Sequence, residues 1–161
     1  MNKKTILKQI QLILDDNVYS KYHQITAMAN ISALLFEEMK DINWIGFYLV
    51  ENTELVLGPF QGKIACSKIK IGNGVCGTCA LKKETINVPN VHNFQGHIAC
   101  DQQSNSELVV PIFNGDSLFG LIDIDSPKFD RFSKSDEDFF ENISKNISKF
   151  FFERKRIQYI L

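Results

Sequence analysis

Residues 107–125 read ELVVPIFNGDSLFGLIDID, and this stretch carries the clearest signal of the fold. Two largely apolar runs, 107–113 and 118–125, flank the turn-forming residues Asn114, Gly115 and Asp116. Apolar runs of this length around a short Gly-containing turn are typical of a β-hairpin. The sequence therefore predicts two paired antiparallel strands.

The predicted hairpin carries acids among its apolar residues. Side chains alternate along a strand, which places four residues of the second run on one face: Phe119, Leu121, Asp123 and Asp125. The opposite face then carries Leu118, Ile122 and Ile124. A three-residue loop pairs Phe113 with Ser117 and sets Glu107 opposite Asp123, whereas a loop of different length would separate these two acids. Opposed like charges destabilise a sheet, so the pattern predicts either a solvent-exposed polar face or a site for a cationic ligand.

Further elements surround the hairpin. Strands are predicted over 44–50, 54–60 and 85–88. Helices are predicted over 4–14, 22–39 and 75–83, and a last one, capped by Ser135, carries an apolar stripe from Phe139 to Phe151. Helices that flank a mostly antiparallel sheet define an α+β domain of two or three layers. Because no repeat or linker interrupts the sequence, residues 1–161 are predicted to form a single domain.

The charge balance narrows the range of partners. The chain has 18 Lys and Arg against 19 Asp and Glu, and its net charge of -1 offers no basic stripe for phosphates. Nucleic acid and membrane surfaces are therefore not expected partners. The N-terminal segment lacks the apolar core of a signal peptide, and no later stretch approaches the ~20 apolar residues that span a bilayer. We expect a cytoplasmic protein, in which cysteines are catalytic, metal-binding or core residues.

The four cysteines lie in mid-chain segments that look like loops: Cys66, Cys76, Cys79 and Cys100. Cys76 and Cys79 form a CxxC, which alone is a redox pair or half a zinc site. A second half would have to come from Cys66, His92, His97 or Cys100, which lack the paired spacing of zinc sites. His97 could help Cys100 to form a thiolate, or it could be a solvated loop histidine. Each cysteine could also be a buried apolar residue.

Six segments together resemble one known family. They are WIGFY at 44–48, LGPFQGKIAC at 57–66, GVCG at 74–77, Cys100-Asp101, Ser106-Glu107 and DIDS at 123–126. In this order they are similar to the successive signatures of the free methionine-R-sulfoxide reductases, over residues 22–151. Each motif alone is weak, but three cysteines in matching local sequence followed by three carboxylates form a specific combination.

The resemblance implies a GAF fold, with helices on one side of an antiparallel sheet and a loop-covered ligand pocket on the other. It also implies roles for the residues that match the family. Cys100 matches the nucleophile, Cys66 the resolving cysteine and Cys76 a further redox-active cysteine. The active-site acids are matched by Glu107, Asp123 and Asp125, and the pocket aromatics by Trp44 and Tyr48. Cys79 lies outside the pattern, so which thiol resolves the intermediate stays open.

The implied reaction is the thiol-dependent reduction of free methionine-R-sulfoxide. A thiolate attacks the sulfur while an acid, for which we favour Glu107, protonates the oxygen. Asp123 and Asp125 suit the substrate ammonium, and the resulting sulfenic acid condenses to a disulfide that thioredoxin would reduce. No cofactor or metal is expected, and the apolar terminal helices could support a homodimer. The alternative is a GAF module that senses a small molecule or redox state without turnover.

Overall fold

The computed structural model describes residues 2–16, 22–94 and 103–153. Within these ranges the helices are α1 (Lys3–Asp16), α2 (His23–Glu38), α3 (Gly74–Lys82) and α4 (Lys134–Ser148). The strands are β1 (Trp44–Glu51), β2 (Glu54–Gly62), β3 (Lys68–Lys70), β4 (Ile86–Val88), β5 (Ser106–Asn114) and β6 (Ser117–Ser126). They form an antiparallel sheet of six described strands in the order β3-β2-β1-β6-β5-β4. The predicted α+β architecture is confirmed.

Helices α1, α2 and α4 cover one face of the sheet. Apolar positions at three- and four-residue steps give each helix a buried stripe, and in α4 this stripe contains Phe139, Phe140, Ile143 and Ile147. The stripes pack against alternate residues of the central strands, including Ile45, Phe47, Ile122 and Ile124. None of the helices in the described ranges is both long and apolar enough to cross a membrane.

The opposite face of the sheet is also covered. Helix α3, the loop before β3 and the segment after β4 pack over Trp44, Tyr48, Val109 and Leu121 in a second apolar cluster. The acids of β5 and β6 lie on this face, and Glu107 and Asp123 are 7% and 6% exposed. The alternative of a solvent-exposed polar face is therefore wrong.

The N-cap of α4 differs from the predicted one. The helix begins at Lys134, so the cap is Ser133 and not Ser135. Ser133 and Asp136 form a capping box, in which the Asp136 carboxylate accepts from the Ser133 backbone N–H at 2.9 Å. Ser135 instead accepts hydrogen bonds from Lys3 Nζ through its carbonyl and hydroxyl oxygens. Both serines have an acid three residues further on, Asp136 and Asp138, and the capping box forms at Ser133.

The register of the β5–β6 hairpin also differs from the prediction. Asn114 pairs with Ser117, so the turn contains two residues rather than three. That change alone would put Glu107 and Asp123 on opposite faces. A bulge shifts the register once more, since Phe113 pairs with Leu118 but Ile112 pairs with Gly120. Glu107 consequently lies opposite Asp125, and not opposite Asp123 as predicted.

The bulge exchanges the faces of two apolar residues. Phe119 is the extra residue of the bulge and packs toward the helical layer, whereas Leu118 packs toward the α3 side. Both positions are the reverse of the predicted alternation. From Leu121 onward each side chain lies on its predicted face. The shorter turn and the bulge each shift the register by one residue, and the two shifts together return the side chains to that face. The three acids therefore still share one face.

Candidate active site

A pocket open to solvent lies on the α3 side of the sheet. Its floor is formed by side chains of β1, β5 and β6, and the start of α3 and the loop before β3 form its walls. Six residues from the sequence-based site line it: Trp44, Tyr48, Cys76, Glu107, Asp123 and Asp125. The structure thus brings together residues from four separate elements.

The carboxyl groups crowd the pocket floor. Glu107 is paired directly with Asp125 across the hairpin, and Asp123 lies two positions along the same face. Burial, followed by the negative charge of Asp123, raises the pKa of Glu107 well above its ordinary value. Burial also raises the pKa of Asp123, to about 6. Both shifts favour the protonated form, and the pKa of Glu107 is raised by the charge of Asp123 as well as by burial.

Cys76 lies in the first turn of α3 and points at these acids. Its Sγ lies 3.8 Å from Glu107 Oε1. Burial and the charge of Asp123 raise the pKa of the Cys76 thiol well above its ordinary value. Cys76 is therefore a neutral thiol in the ligand-free pocket and a poor nucleophile, because thiolates are the reactive form.

Two aromatic side chains form the apolar wall. Trp44 and Tyr48 lie on the same face of β1 and stack with ring centroids 6.1 Å apart. Trp44 Nε1 donates to the Lys63 carbonyl at 3.0 Å, and the Tyr48 hydroxyl donates to the Cys66 carbonyl at 3.0 Å. Both aromatic side chains therefore donate hydrogen bonds to the loop before β3, and these bonds hold the loop over the pocket. Burial raises the pKa of Tyr48, so its hydroxyl stays protonated.

The cysteines differ in oxidation state. Cys66 is disulfide-bonded, whereas Cys76 and Cys79 are free and buried. The CxxC lies in α3, in agreement with the helix predicted over 75–83, and Cys79 Sγ lies 3.8 Å from the Val109 carbonyl. Cys79 is a buried free thiol, which is one of the alternatives for each cysteine. Cys100 and His97 lie outside the described residues.

The described residues do not support the alternative of a structural zinc site. Cys66 is disulfide-bonded and so cannot serve as a thiolate ligand. His92 Nε2 lies 2.8 Å from Asn105 Oδ1, at the far end of β5 from the hairpin turn. The Sγ of Cys76 and carboxylate oxygens of Glu107 and Asp123 lie within 4.8 Å of one another and could surround a cation. A thiol and two carboxyls differ from the four Cys and His ligands that close a structural zinc site.

Some pocket residues escaped the sequence analysis. Asn73, Gly74 and Val75 line the pocket at the start of α3, and Ser104 lines it just before β5. Ile64 also contributes, and it is 92% exposed at the pocket mouth. In the motif GVCG at 74–77, the sequence predicted a role for the cysteine alone. An asparagine directly before a predicted helix is a typical cap signal that could have drawn attention to this position.

Comparison with known proteins shows the family to which the chain belongs. The GAF domain family matches residues 16–149. A free methionine-R-sulfoxide reductase of Escherichia coli is 53% identical over 113 residues, which cover 70% of this chain and 68% of that protein. One of Saccharomyces cerevisiae is 43% identical over 157 residues, covering 92% and 87%. The X-ray structure of free methionine-R-sulfoxide reductase from Neisseria meningitidis in complex with its substrate aligns with a TM-score of 0.87 at 36% identity, covering 92% of this chain and 87% of that one.

The fold and the pocket define the class: this is a GAF domain whose ligand site combines buried acids, aromatic rings and a thiol. Within that class, the chain belongs to the free methionine-R-sulfoxide reductases, which are oxidoreductases. The family favours an enzyme over the alternative of a sensor without turnover.

Proposed function

We propose that this chain reduces free L-methionine-(R)-sulfoxide to L-methionine, with Cys100 as nucleophile, Glu107 as proton donor and Cys66 as resolving cysteine. The observation that carries the proposal is the buried acidic pocket, in which Glu107, Asp123 and Asp125 share one face beneath an aromatic wall. Relatives also support the proposal. Two proteins that are 43% and 53% identical to this chain are named free methionine-R-sulfoxide reductases, and a similar structure of such an enzyme is in complex with its substrate.

The acid step requires a protonated group beside the sulfoxide oxygen. An unprotonated oxide is a poor leaving group, so the carboxyl must carry a proton at neutral pH. The raised pKa of Glu107 supports this role, since burial and the neighbouring Asp123 both favour its neutral form. Glu107 delivers its proton as the S–O bond of the substrate breaks, and the resulting carboxylate regains a proton from solvent.

Recognition of a free amino acid requires a counter-charge for its ammonium group. Asp123 supplies a buried negative charge whose Oδ1 has no hydrogen-bond partner in the described part of the chain. An ammonium bound there satisfies this oxygen and offsets the repulsion among the acids. A peptide-bound methionine has no such ammonium, so it leaves the buried charge uncompensated. Asp125, which lies beside Glu107, adds a second acid that can pair with the ammonium. Trp44 and Tyr48 cover the methylthio end of the substrate.

The cysteine steps transfer one oxygen atom and two electrons. The Cys100 thiolate attacks the sulfoxide sulfur; the oxygen, protonated by Glu107, then moves to the Cys100 sulfur as the bond between the two sulfur atoms breaks, which leaves a sulfenic acid and releases methionine. Cys66 then attacks the sulfenic sulfur, which forms a disulfide and expels water. The disulfide-bonded state of Cys66 supports this role, because Cys76 and Cys79 both remain free. A dithiol such as thioredoxin reduces the disulfide and completes the cycle.

A second route through the CxxC is less favoured by the site. Exchange of the disulfide onto Cys76 and Cys79 would serve the reductant only if it presented an exposed bond. Both cysteines are buried, so a protein dithiol has no access to them in this conformation. Cys66 is partly exposed in the loop before β3 and suits the exchange better. A cytoplasmic location and a homodimer stay predictions.

The direct test is turnover of separated methionine sulfoxide epimers with dithiothreitol as reductant and methionine as the measured product. We expect the free R epimer to be reduced and the S epimer to be largely ignored. An N-acetylated, amidated R-sulfoxide serves as the peptide-like control and should react at least about tenfold more slowly, since it lacks the charge that pairs with a buried carboxylate. Equal rates on free and blocked substrates would overturn the proposed specificity.

A further inference from the structure

Cys76 is a buried thiol to which the proposed reaction gives no step. It is 4% exposed and lies in the first turn of α3, where it lines the pocket beside the acids. Cys76, Glu107 and Asp123 each place one potential metal-binding atom in a cluster whose atoms lie within 4.8 Å of one another. A thiol and two carboxyl groups are side chains that bind divalent metal ions in proteins. The cluster is therefore a candidate metal site, and its three side chains come from α3, β5 and β6.

The spacing of these atoms suits a small divalent ion. A zinc ion lies about 2.3 Å from a thiolate sulfur and about 2.1 Å from a carboxylate oxygen, so tetrahedral coordination places the sulfur and the oxygen about 3.6 Å apart. Cys76 Sγ lies 3.8 Å from Glu107 Oε1. Only small rotations of the side chains are therefore needed for the three atoms of the cluster to bind one ion.

Asp123 gives independent evidence that a cation binds in this cluster. It is 6% exposed, and its Oδ1 has no hydrogen-bond partner in the described part of the chain. An unsatisfied buried carboxylate oxygen costs free energy, which a bound cation offsets. The substrate ammonium can also satisfy this oxygen, but only a metal ion uses the sulfur of Cys76 as a strong ligand. Because thiolates are soft ligands, the cluster favours Zn²⁺ and similar ions over Mg²⁺ and Ca²⁺.

Three protein ligands leave the fourth position of a tetrahedral ion free. The cluster lines a pocket that is open to solvent, so water can fill that position and the ion can enter and leave. We infer that Cys76, Glu107 and Asp123 bind a divalent transition-metal ion such as Zn²⁺, and that this ion inhibits the enzyme by occupying the pocket in place of the substrate. It engages the assigned proton donor and the assigned partner of the ammonium at the same time. The inhibition rests on the proposed function, whereas the binding of the ion does not.

The first arm of the test measures binding of Co²⁺, a spectroscopic substitute for Zn²⁺ that shows a charge-transfer band when a thiolate binds it. The protein is Cys66→Ser/Cys100→Ser, in which neither of these redox cysteines can bind the ion. We expect the band to saturate at about one Co²⁺ per chain, and a large excess of Mg²⁺ to leave it unchanged. In the same background Cys76→Ser should abolish the band. Cys79→Ser is the matched control, because it removes the other buried free thiol of α3, and it should leave the band unchanged.

The affinity for Co²⁺ in the same background tests the two carboxylate ligands. Removing a residue that only supports a metal ligand typically lowers the affinity about 10- to 100-fold. Glu107→Gln and Asp123→Asn remove the ligands themselves, so each should lower the affinity about 100-fold or more. Asp116→Asn, at the exposed hairpin turn, removes a negative charge away from the pocket and should leave the affinity unchanged.

The second arm tests competition between the ion and the substrate. Free methionine-R-sulfoxide should weaken the binding of Co²⁺ as its concentration rises, since both ligands use Asp123, and the N-acetylated, amidated sulfoxide should not. Saturating Zn²⁺ should abolish the single release of methionine by reduced Cys66→Ser protein. In Cys66→Ser/Cys76→Ser protein, the rates of release measured with and without Zn²⁺ should agree.

Several outcomes would overturn the inference. A charge-transfer band that survives Cys76→Ser, or that Cys79→Ser also abolishes, would show that the ion binds elsewhere. Displacement of Co²⁺ by Mg²⁺ would show that the thiol is not a ligand. If Cys76→Ser does not fold, as judged by circular dichroism, the two carboxylate variants decide, and unchanged affinity in both contradicts the site. A protein that binds Co²⁺ as expected but reduces no sulfoxide contradicts the proposed function alone, and turnover that continues with Zn²⁺ bound contradicts the inhibition.

Discussion

Glu107 and Asp125 face each other across the hairpin, and the roles of the three acids can be separated by kinetics. Glu107→Gln removes the assigned proton donor, so kcat should fall by about 10²- to 10⁴-fold with little change in KM. Asp123→Asn and Asp125→Asn remove charges that pair with the ammonium, and KM should rise about tenfold or more. Steady-state kinetics on the free R-sulfoxide checks the split. Wild-type kinetics in all three variants would show that the acids are structural.

The same acids make the ligand-free fold sensitive to pH. A carboxyl whose pKa is raised by folding contributes stability below its unfolded pKa, and this contribution is lost as pH rises through the folded pKa. The pKa of Asp123 is raised from 3.8 to about 6, so wild type should lose up to roughly 3 kcal/mol from this group between pH 4 and 7.

Substitution of Asp123 should remove that loss. Asp123→Asn should therefore raise the Tm of the ligand-free protein relative to wild type more at pH 8 than at pH 5, as measured by calorimetry. Asp116→Asn, at the exposed hairpin turn, is the matched control and should show no such difference. A Tm difference for Asp123→Asn that does not vary with pH would contradict the assignment of a buried charge.

At the scale of elements, the cap of α4 gives a test of local structure. Ser133→Ala removes the capping box and should cost about 1 kcal/mol, or about 2–4 °C in Tm. Ser135→Ala removes only an exposed hydrogen bond to Lys3 and should cost less than about 0.5 kcal/mol. Thermal unfolding of the two variants checks the order. A larger fall in Tm for Ser135→Ala than for Ser133→Ala would identify Ser135 as the N-cap.

Helix stripes were predictable because a period of 3.6 residues repeats over several turns in α2 and α4. Strand β3 was missed because it has one apolar residue, Ile69, between two lysines, whereas β4, equally short, contains the β-branched Ile86 and Val88. The hairpin register depended on a bulge at Phe119, and the neighbouring Gly120, a glycine inside a strand, is a typical bulge signal that the prediction did not use. The acids shared a face as predicted, but only because a shorter turn and a bulge offset each other.

At the scale of the whole molecule, the pocket exists because both faces of the sheet are covered. The helical layer supplies the larger apolar cluster, and α1 is joined to α4 by the 2.9 Å contact between Lys3 and Asp136. The α3 side holds the smaller cluster, and the pocket interrupts it. Sequence reasoning named the acids and aromatics of this site from motifs. It missed Asn73 and Ser104, which come together at the pocket only once helix, loop and sheet are assembled.

The measurement that tests the central claim most directly is the methionine released per chain by reduced protein without added reductant. If Cys100 attacks the sulfoxide, wild type and Cys66→Ser should each release about one methionine per chain, and Cys66→Ser should stall as a sulfenic acid. Cys79→Ser, at a buried core thiol, should match wild type. Cys100→Ser should release none. Wild-type release from Cys100→Ser, together with loss of release from Cys76→Ser, would contradict the account and place the chemistry in the CxxC.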